Sequence, residues 1–414
     1  MANSITALSP TYWSKIMGIK LYKKNVFRNI ASFREEAVLK DGQIVDRPYR
    51  ADIYVGKYTK GTALTAQDIT ASSDTLTVNK IFAALIYVDD VDKIQNKWDA
   101  ASAWTEEMVT RLSNQMDADC LFQTAYEAND TVDYNDLDSN QTAGAGIVLT
   151  TNNVMQMFAV AARKLSVNNV DGANRFFCIS PQVKQVLLTY LAGRESILGD
   201  RTSEAGNIGR YMGFELYETN NLTAMIRITP TVTASNGETL VINGITFTAR
   251  NTPASTNVSA TAADFDDDGT ATIAGNITNL TYVINLDSTY NDTAAVGFAP
   301  TGAGLAQFQR AWFAVDNTTY IDIYIKGAST IATPTGTWAG AVGTELTYSK
   351  QLNVCGEKGA VDFVAQREPS AKMASTVSAG KDGMNILVKD LYTTGVFYDM
   401  QARLFSVEID TASF

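Results

Sequence analysis

The chain contains no histidine. That single absence removes the usual neutral-pH acid/base, the imidazole metal ligand and the serine-hydrolase type of triad. Cysteine is scarce: Cys120, Cys178 and Cys355 are far apart, odd in number and without a CxxC spacing. They indicate neither a zinc site nor a disulfide framework, and they read as free buried thiols in a chain that folds in a reducing interior. No run of 18 apolar residues occurs, so no helical membrane span is expected. The opening MANSITALSPTYWSKIM lacks the basic segment and long apolar core of a secretion signal. Gly209 and Gly213, in IGRYMGFELYETN, match no phosphate-loop pattern and read as a turn or bulge before a strand. Proline and glycine are missing from residues 62 to 143, so nothing there breaks a long helix early.

What fills that stretch is a strand followed by a helix. Leu76 to Val88 (LTVNKIFAALIYV) has strand composition and partial alternation. Asp89, Asp90 and Asp92 then interrupt it, as capping and helix-dipole residues more simply than as an acid/base cluster. From near Asn96 a helical register sets in, with Trp104, Met108, Leu112 and Met116 four apart and Phe122 and Tyr126 continuing the stripe. A helix of about 30 residues is roughly 45 Å long and here lacks a sustained heptad, which predicts a spine crossing a broad, thin body. With 414 residues, 45% hydrophobic and 19% charged, the chain is an ordered protein of two or three substructures.

The net charge of −11 argues against a general nucleic-acid binder, yet its distribution is uneven. Residues 1–50 carry nine basic against four acidic side chains, with Tyr12, Trp13, Lys20, Lys23, Lys24 and Arg28 among the anchors and cations. This segment reads either as a helix on its own subunit or as an arm crossing to a neighbour. Pro48 to Thr75 suggests a two-stranded ribbon with Lys57 and Lys60 near its tip and Leu76 to Val88 as its return strand. Helices are expected from a Thr151 or Asn152 cap and over Gln182 to Leu191 behind Ser180-Pro181, with the strand RFFCI between them. Near residue 222 the composition turns to Thr, Ala, Asn and Gly. Short strand-like pieces recur there, ATIAG and NLTYVINL among them, and acidic residues outnumber basic ones ten to five from 223 to 350. This reads as a small all-β unit inserted into a body that resumes after 350.

Two further groups have the residue types of a site. Asp264, Asp266 and Asp268 before Gly269 resemble the first half of a calcium loop, but position 12 is Gly275 and no helix pair flanks it, so a solvated acidic turn is the simpler reading. Trp98, Trp104, Trp312 and Trp338 read as packing residues, with an exposed sugar platform as the alternative. No residues suggest catalysis, and no cofactor is expected.

In order and spacing, the chain resembles tailed-bacteriophage major capsid proteins of the HK97-like fold, an α+β fold. The likeness is carried by the run from Lys57 to Ala125, by SPQVKQVLLTYLAG (180 to 193), and by YMGFELYETNNL (211 to 222), where Leu216 stands in place of the family's Val. GETLVINGITFTA with NLTYVINL is similar to a β insertion of some phage capsid proteins. The resemblance implies an N-terminal arm (1–49), an extended loop (50–88), a peripheral domain with the spine helix (89–140) and an axial domain (141–224 and 351–377). The inserted β-rich domain (225–350) and peripheral C-terminal strands (378–414) complete it. It implies no enzymatic activity, but hexamers and pentamers closing an icosahedral shell around double-stranded DNA. Assembly would take place in the host bacterial cytoplasm, with scaffold, portal and decoration proteins as partners and no membrane. Some family members join subunits by a Lys-to-Asn isopeptide bond; Lys57 and Lys60 lie in the right sort of loop, without an identifiable partner. The alternatives are an encapsulin-like shell around protein cargo and a phage-tail or adhesin protein with a carbohydrate-binding β module.

Overall fold

The computed structural model describes residues 23, 25–39, 42–50, 53–63, 66–67, 71–89, 100–137, 146–193, 209–251, 262–266, 272–285, 311–328, 330–342, 347–378 and 381–411. From the N-terminus the elements are α1 (Phe27–Ile30), β1 (Ile44–Arg50), β2 (Ala71–Thr77), β3 (Lys80–Asp89), α2 (Ala100–Tyr126) and β4 (Asp130–Val132). Then come α3 (Val154–Val167), β5 (Arg175–Ile179), α4 (Pro181–Ala192), β6 (Arg210–Tyr211), β7 (Phe214–Glu218) and β8 (Thr223–Ile228). The middle of the chain forms β9 (Thr239–Ile242), β10 (Ile245–Arg250), β11 (Ala262–Asp266), α5 (Ile273–Asn285), β12 (Trp312–Asp316), β13 (Ile321–Ile325) and β14 (Thr335–Gly336). The chain closes with β15 (Thr347–Glu357), β16 (Asp362–Ser378), β17 (Lys381–Gly395), α6 (Tyr398–Gln401) and β18 (Leu404–Asp410).

A nine-stranded sheet organises the body in the order β12-β13-β8-β15-β5-β7-β6, with β18 on β15 and β4 on β18. Its interior strand β5 is RFFCI, buried at every position, which is why an apolar run rather than an alternating one occupies it. Cys355 pairs with Phe177 and Cys178 with Val354 in adjacent positions, so the two thiols project from opposite faces. All three cysteines are free and buried, as the composition suggests.

The spine is present: α2 runs 27 residues, roughly 40 Å. Met108 and Leu112 pack on the inner face of a separate three-stranded sheet, β16-β17-β3, against Ile86, Val88, Ile386 and Val388. Met116, Cys120, Leu121 and Ala125 enter a second core with Phe176, Met225, Val354 and Leu404. The helix therefore ties two sheets, half-buried in its first turns and buried nearly all round in its last. Trp104 and Tyr126, expected on the stripe, stay largely outside the core.

Local signals elsewhere hold. Ser180 caps α4 by accepting from Val183 N at 3.3 Å, with Pro181 first in the helix. Met212 (φ 47°) and Gly213 (φ 87°) make the turn of the β6–β7 hairpin. Asn243 (φ 48°) and Gly244 (φ 82°) turn β9 into β10, as a tight hairpin requires. The cap of α3 falls at Asn153 rather than Thr151 or Asn152; its carboxamide ties Thr150 N and Val148 O, fixing the approach instead of the first turn.

Several expectations are corrected. The return strand 76–88 is broken at Val78–Asn79: β2 pairs with β1, and β3 leaves to pair with β17. The segment from Val26 onward is body rather than arm, since Val26, Phe27 and Ile30 are core and Leu39 packs with Leu76, Val78, Val364 and Phe397. The 225–350 unit is not all-β. ATIAG and NLTYVINL, read as strands, both fall in or at α5, because Ile277, Leu280, Val283 and Ile284 form a helical stripe facing the core of Phe247, Phe265 and Trp338. Burial of that stripe overrides the β-branched composition. The unit has its own core, drawn from residues 224–341, yet β8, β13 and β12 continue the body's main sheet. At the C-terminus, β16 and β17 form one hairpin across the expected 377/378 boundary, and β18 joins the main sheet beside β15.

Candidate assembly surfaces

Among the described residues, two apolar surfaces stand open. The first is the ribbon. Its ladder runs from Ile44↔Thr77 to Arg50↔Ala71, beyond which the Gln67 carboxamide stands in for a backbone partner, accepting from Tyr54 N at 3.2 Å and donating to Tyr54 O at 2.7 Å. Past that point Ile53, Tyr54 (81% exposed), Val55 (98%) and Tyr58 have no cover, with Lys57 and Lys60 beside them also exposed. A tip so built leaves large apolar side chains in water, the pattern of a surface made to be covered. Its foot, by contrast, is fixed. Arg47 pairs with Asp399 at 2.9 Å and lies over the Phe397 ring at 4.9 Å; Tyr49 stacks on Tyr398 at 5.1 Å; Asp74 accepts from Tyr398 N at 2.9 Å.

The second open surface is the outer face of β3. Even positions face α2, while Ile81 and Leu85 point outward, 66% and 64% exposed, beside Leu391 and Leu387 of β17. Among the described residues β3 pairs only with β17, so its other edge is open.

The expected contact residues divide. Tyr12, Trp13, Lys20 and Lys24 lie outside the described residues. Lys23 is exposed but its amine is engaged on its own chain, donating to Asn220 O at 3.2 Å and to Gly327 O. Arg28 pairs with Glu368 and lies over Phe27. Only Lys57 and Lys60 stand on the free tip. The solvated-turn reading is corrected for Asp264 and Asp266, which sit buried in strand β11, with Arg250 Nε 3.9 Å from Asp264. Asp268, like Asp90, Asp92 and Trp98, lies outside the described residues. No group of three or more potential metal ligands occurs among the described residues. Trp312 and Trp338 are core, the latter donating to Val232 O at 2.9 Å, so neither offers a sugar platform.

The sequence reading missed two buried carboxylates on α2, Asp117 and Asp119, on either side of Ala118. Asp117 accepts from Val26 N and Phe27 N at 2.8 Å each and from Asn221 Nδ2 at 2.6 Å, fastening the N-terminal segment to the spine. Burial pushes its carboxyl above the usual range against those three bonds. Asp119 pairs with Lys326 at 2.7 Å and accepts from Tyr392 OH. Burial pushes it up, but Lys80, Lys326 and its hydrogen bonds outweigh that and hold it below the ordinary value. The available signal was MDADCLF: acids embedded in an apolar segment face the core and must meet partners there.

No family model and no curated protein matches the chain. Solved structures do, over nearly the whole length. The capsid structure of the cyanophage P-SCSP1u aligns with a TM-score of 0.56 at 14% identity, covering 99% of this chain and 95% of that one. A structure titled Mycobacterium phage Che8 aligns with a TM-score of 0.55 at 13% identity, covering 97% and 98%. The chain has the HK97-like capsid fold. The head structure of Helicobacter pylori bacteriophage KHP40 agrees, with a TM-score of 0.51 at 9% identity over 99% and 98%. At such identities the HK97-like fold persists as an order of elements, because patterning and volume rather than particular side chains specify a core.

Proposed function

We propose that the chain is the major capsid protein of a tailed bacteriophage, a structural protein whose copies form hexamers and pentamers and close into an icosahedral shell around double-stranded DNA. The observation that carries this reading is a capsid fold spanning the whole chain together with a ribbon whose apolar tip has no cover within its own subunit. Many modest contacts, each near the roughly 1,600 Å² of a standard interface, make a closed shell far more stable than any pair. In this reading the main sheet, with β18 on it, belongs to the axial part and the β16-β17-β3 sheet with α2 to the peripheral part, with the body beginning at Val26. The shell is built in the host bacterial cytoplasm with a scaffold and a portal, and with decoration proteins added outside. The locally basic residues 1–50 supply non-specific contact to DNA.

Isolating particles and digesting them with nuclease tests the cargo. Protected double-stranded DNA is the expected result. Shells that protect protein cargo and no DNA would contradict the DNA half of the proposal. Removing residues 1–22, rather than the core-bearing stretch through Ile30, should leave a folded subunit that fails to close shells; normal particles would show that the arm is dispensable.

A further inference from the structure

The inserted unit joins the body along β8 and β15, and one corner of that joint lies where the start of β8 meets the end of β13. Lys23 spans that corner. Its amine donates to Asn220 O, just ahead of β8, and to Gly327 O, just past β13, two strands paired through Ala224↔Ile325. The turn at Lys326–Gly327 is seated on α2. Gly327 has φ 70°, and a Cβ there would stand 3.5 Å from Ala118 Cβ. On one side of Ala118, Asp119 holds Lys326. On the other, Asp117 holds the Val26 and Phe27 amides and the Asn221 side chain. Asn25 completes the link, donating to Ser113 Oγ at 2.7 Å and accepting from Asn221 Nδ2 at 3.3 Å. The N-terminal segment thus grips the entrance of the unit, its returning turn and the spine together.

We infer that Lys23 and residues 25–27 act as a latch, coupling the N-terminal segment to the seat of the inserted unit through Asp117 and Lys23. Displacing the segment removes the bonds from Lys23 to Gly327 O and Asn220 O and the Asn25 contact to the Asn221 side chain, so the corner between β8 and β13 loosens. Loosening that corner, in turn, weakens the protection of the Val26 and Phe27 amides. The coupling is an equilibrium property of one subunit and must run in both directions by the same factor. Its use, as a way for a neighbour pulling on the arm to shift the inserted unit, rests on the function proposed above; the latch itself needs no second copy.

Hydrogen exchange on the full-length, unassembled chain tests it. Lys23→Met, on an exposed side chain, should raise exchange in β12 and β13 roughly tenfold, the loss expected on removing a charged hydrogen bond, and Lys23→Arg should restore most of the protection. Lys326→Met should raise exchange at Val26 and Phe27 by a similar factor. Should Lys326→Met fail to fold because Asp119 loses its partner, Phe313→Leu in the adjoining ring cluster with Phe122, Tyr126 and Tyr324 supplies the same perturbation from the unit's side. Changes confined to the mutated side, in either direction, would overturn the latch, whether or not shells form.

Discussion

At the scale of single residues, the buried charges carry the sharpest consequences. Asp119 faces Lys326 and Tyr392, with Lys80 close by. Replacing it by Asn leaves two buried ammonium groups without their counter-charge, and should cost roughly 3–5 kcal/mol at pH 7 by denaturant unfolding. Because its carboxyl is held below the ordinary value, its contribution is present above about pH 4 and is lost as pH falls through the folded-state pKa, so the penalty should shrink in acid. Asp390 behaves oppositely. Burial pushes it up to about 6 although Phe82 N donates to it at 2.9 Å. A carboxyl raised on folding stabilises below its unfolded pKa and loses that contribution as pH rises through about 6. Asp390→Asn, which keeps the acceptor for Phe82 N, should therefore stabilise the subunit by on the order of 2 kcal/mol at pH 8 and hardly at pH 4. Thermal unfolding of both proteins at the two pH values checks the sign. Neither role was legible in the sequence: the alternation of KDLY does not reveal which neighbour a carboxylate meets, and Lys326 and Asp119 are 207 positions apart.

At the scale of elements, what the sequence displayed depended on how local the cause was. The spine was legible because an uninterrupted 3.6-residue stripe needs no distant partner to announce itself, and Ser180-Pro181 marked α4 for the same reason. α5 was not, since ITNLTYVIN has strand composition and becomes helical through the core it covers. The break between β2 and β3 was hidden too: both strands continue one apolar pattern, and only their different partners separate them. For the candidate surfaces, Lys57 and Lys60 lie exposed on the tip, whereas the exposed Lys23 is engaged by carbonyls nearly 200 and more than 300 positions away, which no local pattern displays. The ribbon itself yields a prediction. Its foot is clamped by Arg47 and Asp74 and its tip makes no core contact, so Tyr54→Ser, Val55→Ser and Tyr58→Ser together should leave the melting temperature within about 2 °C. Sedimentation of the same variant should show assembly abolished. A large drop in melting temperature would place the tip in its own subunit's fold.

At the scale of the whole molecule, the subunit is two sheets tied by one helix, with a third unit continuing the larger sheet and a ribbon projecting from the joint between β2 and β3. Such a body spreads contact surface without thickening its core, the geometry a tile requires. The measurement that bears most directly on this account is negative-stain electron microscopy of the purified full-length chain at rising concentration. The account predicts closed shells of uniform diameter, or the hexamer and pentamer rings that build them; a population of single subunits at every concentration would contradict it.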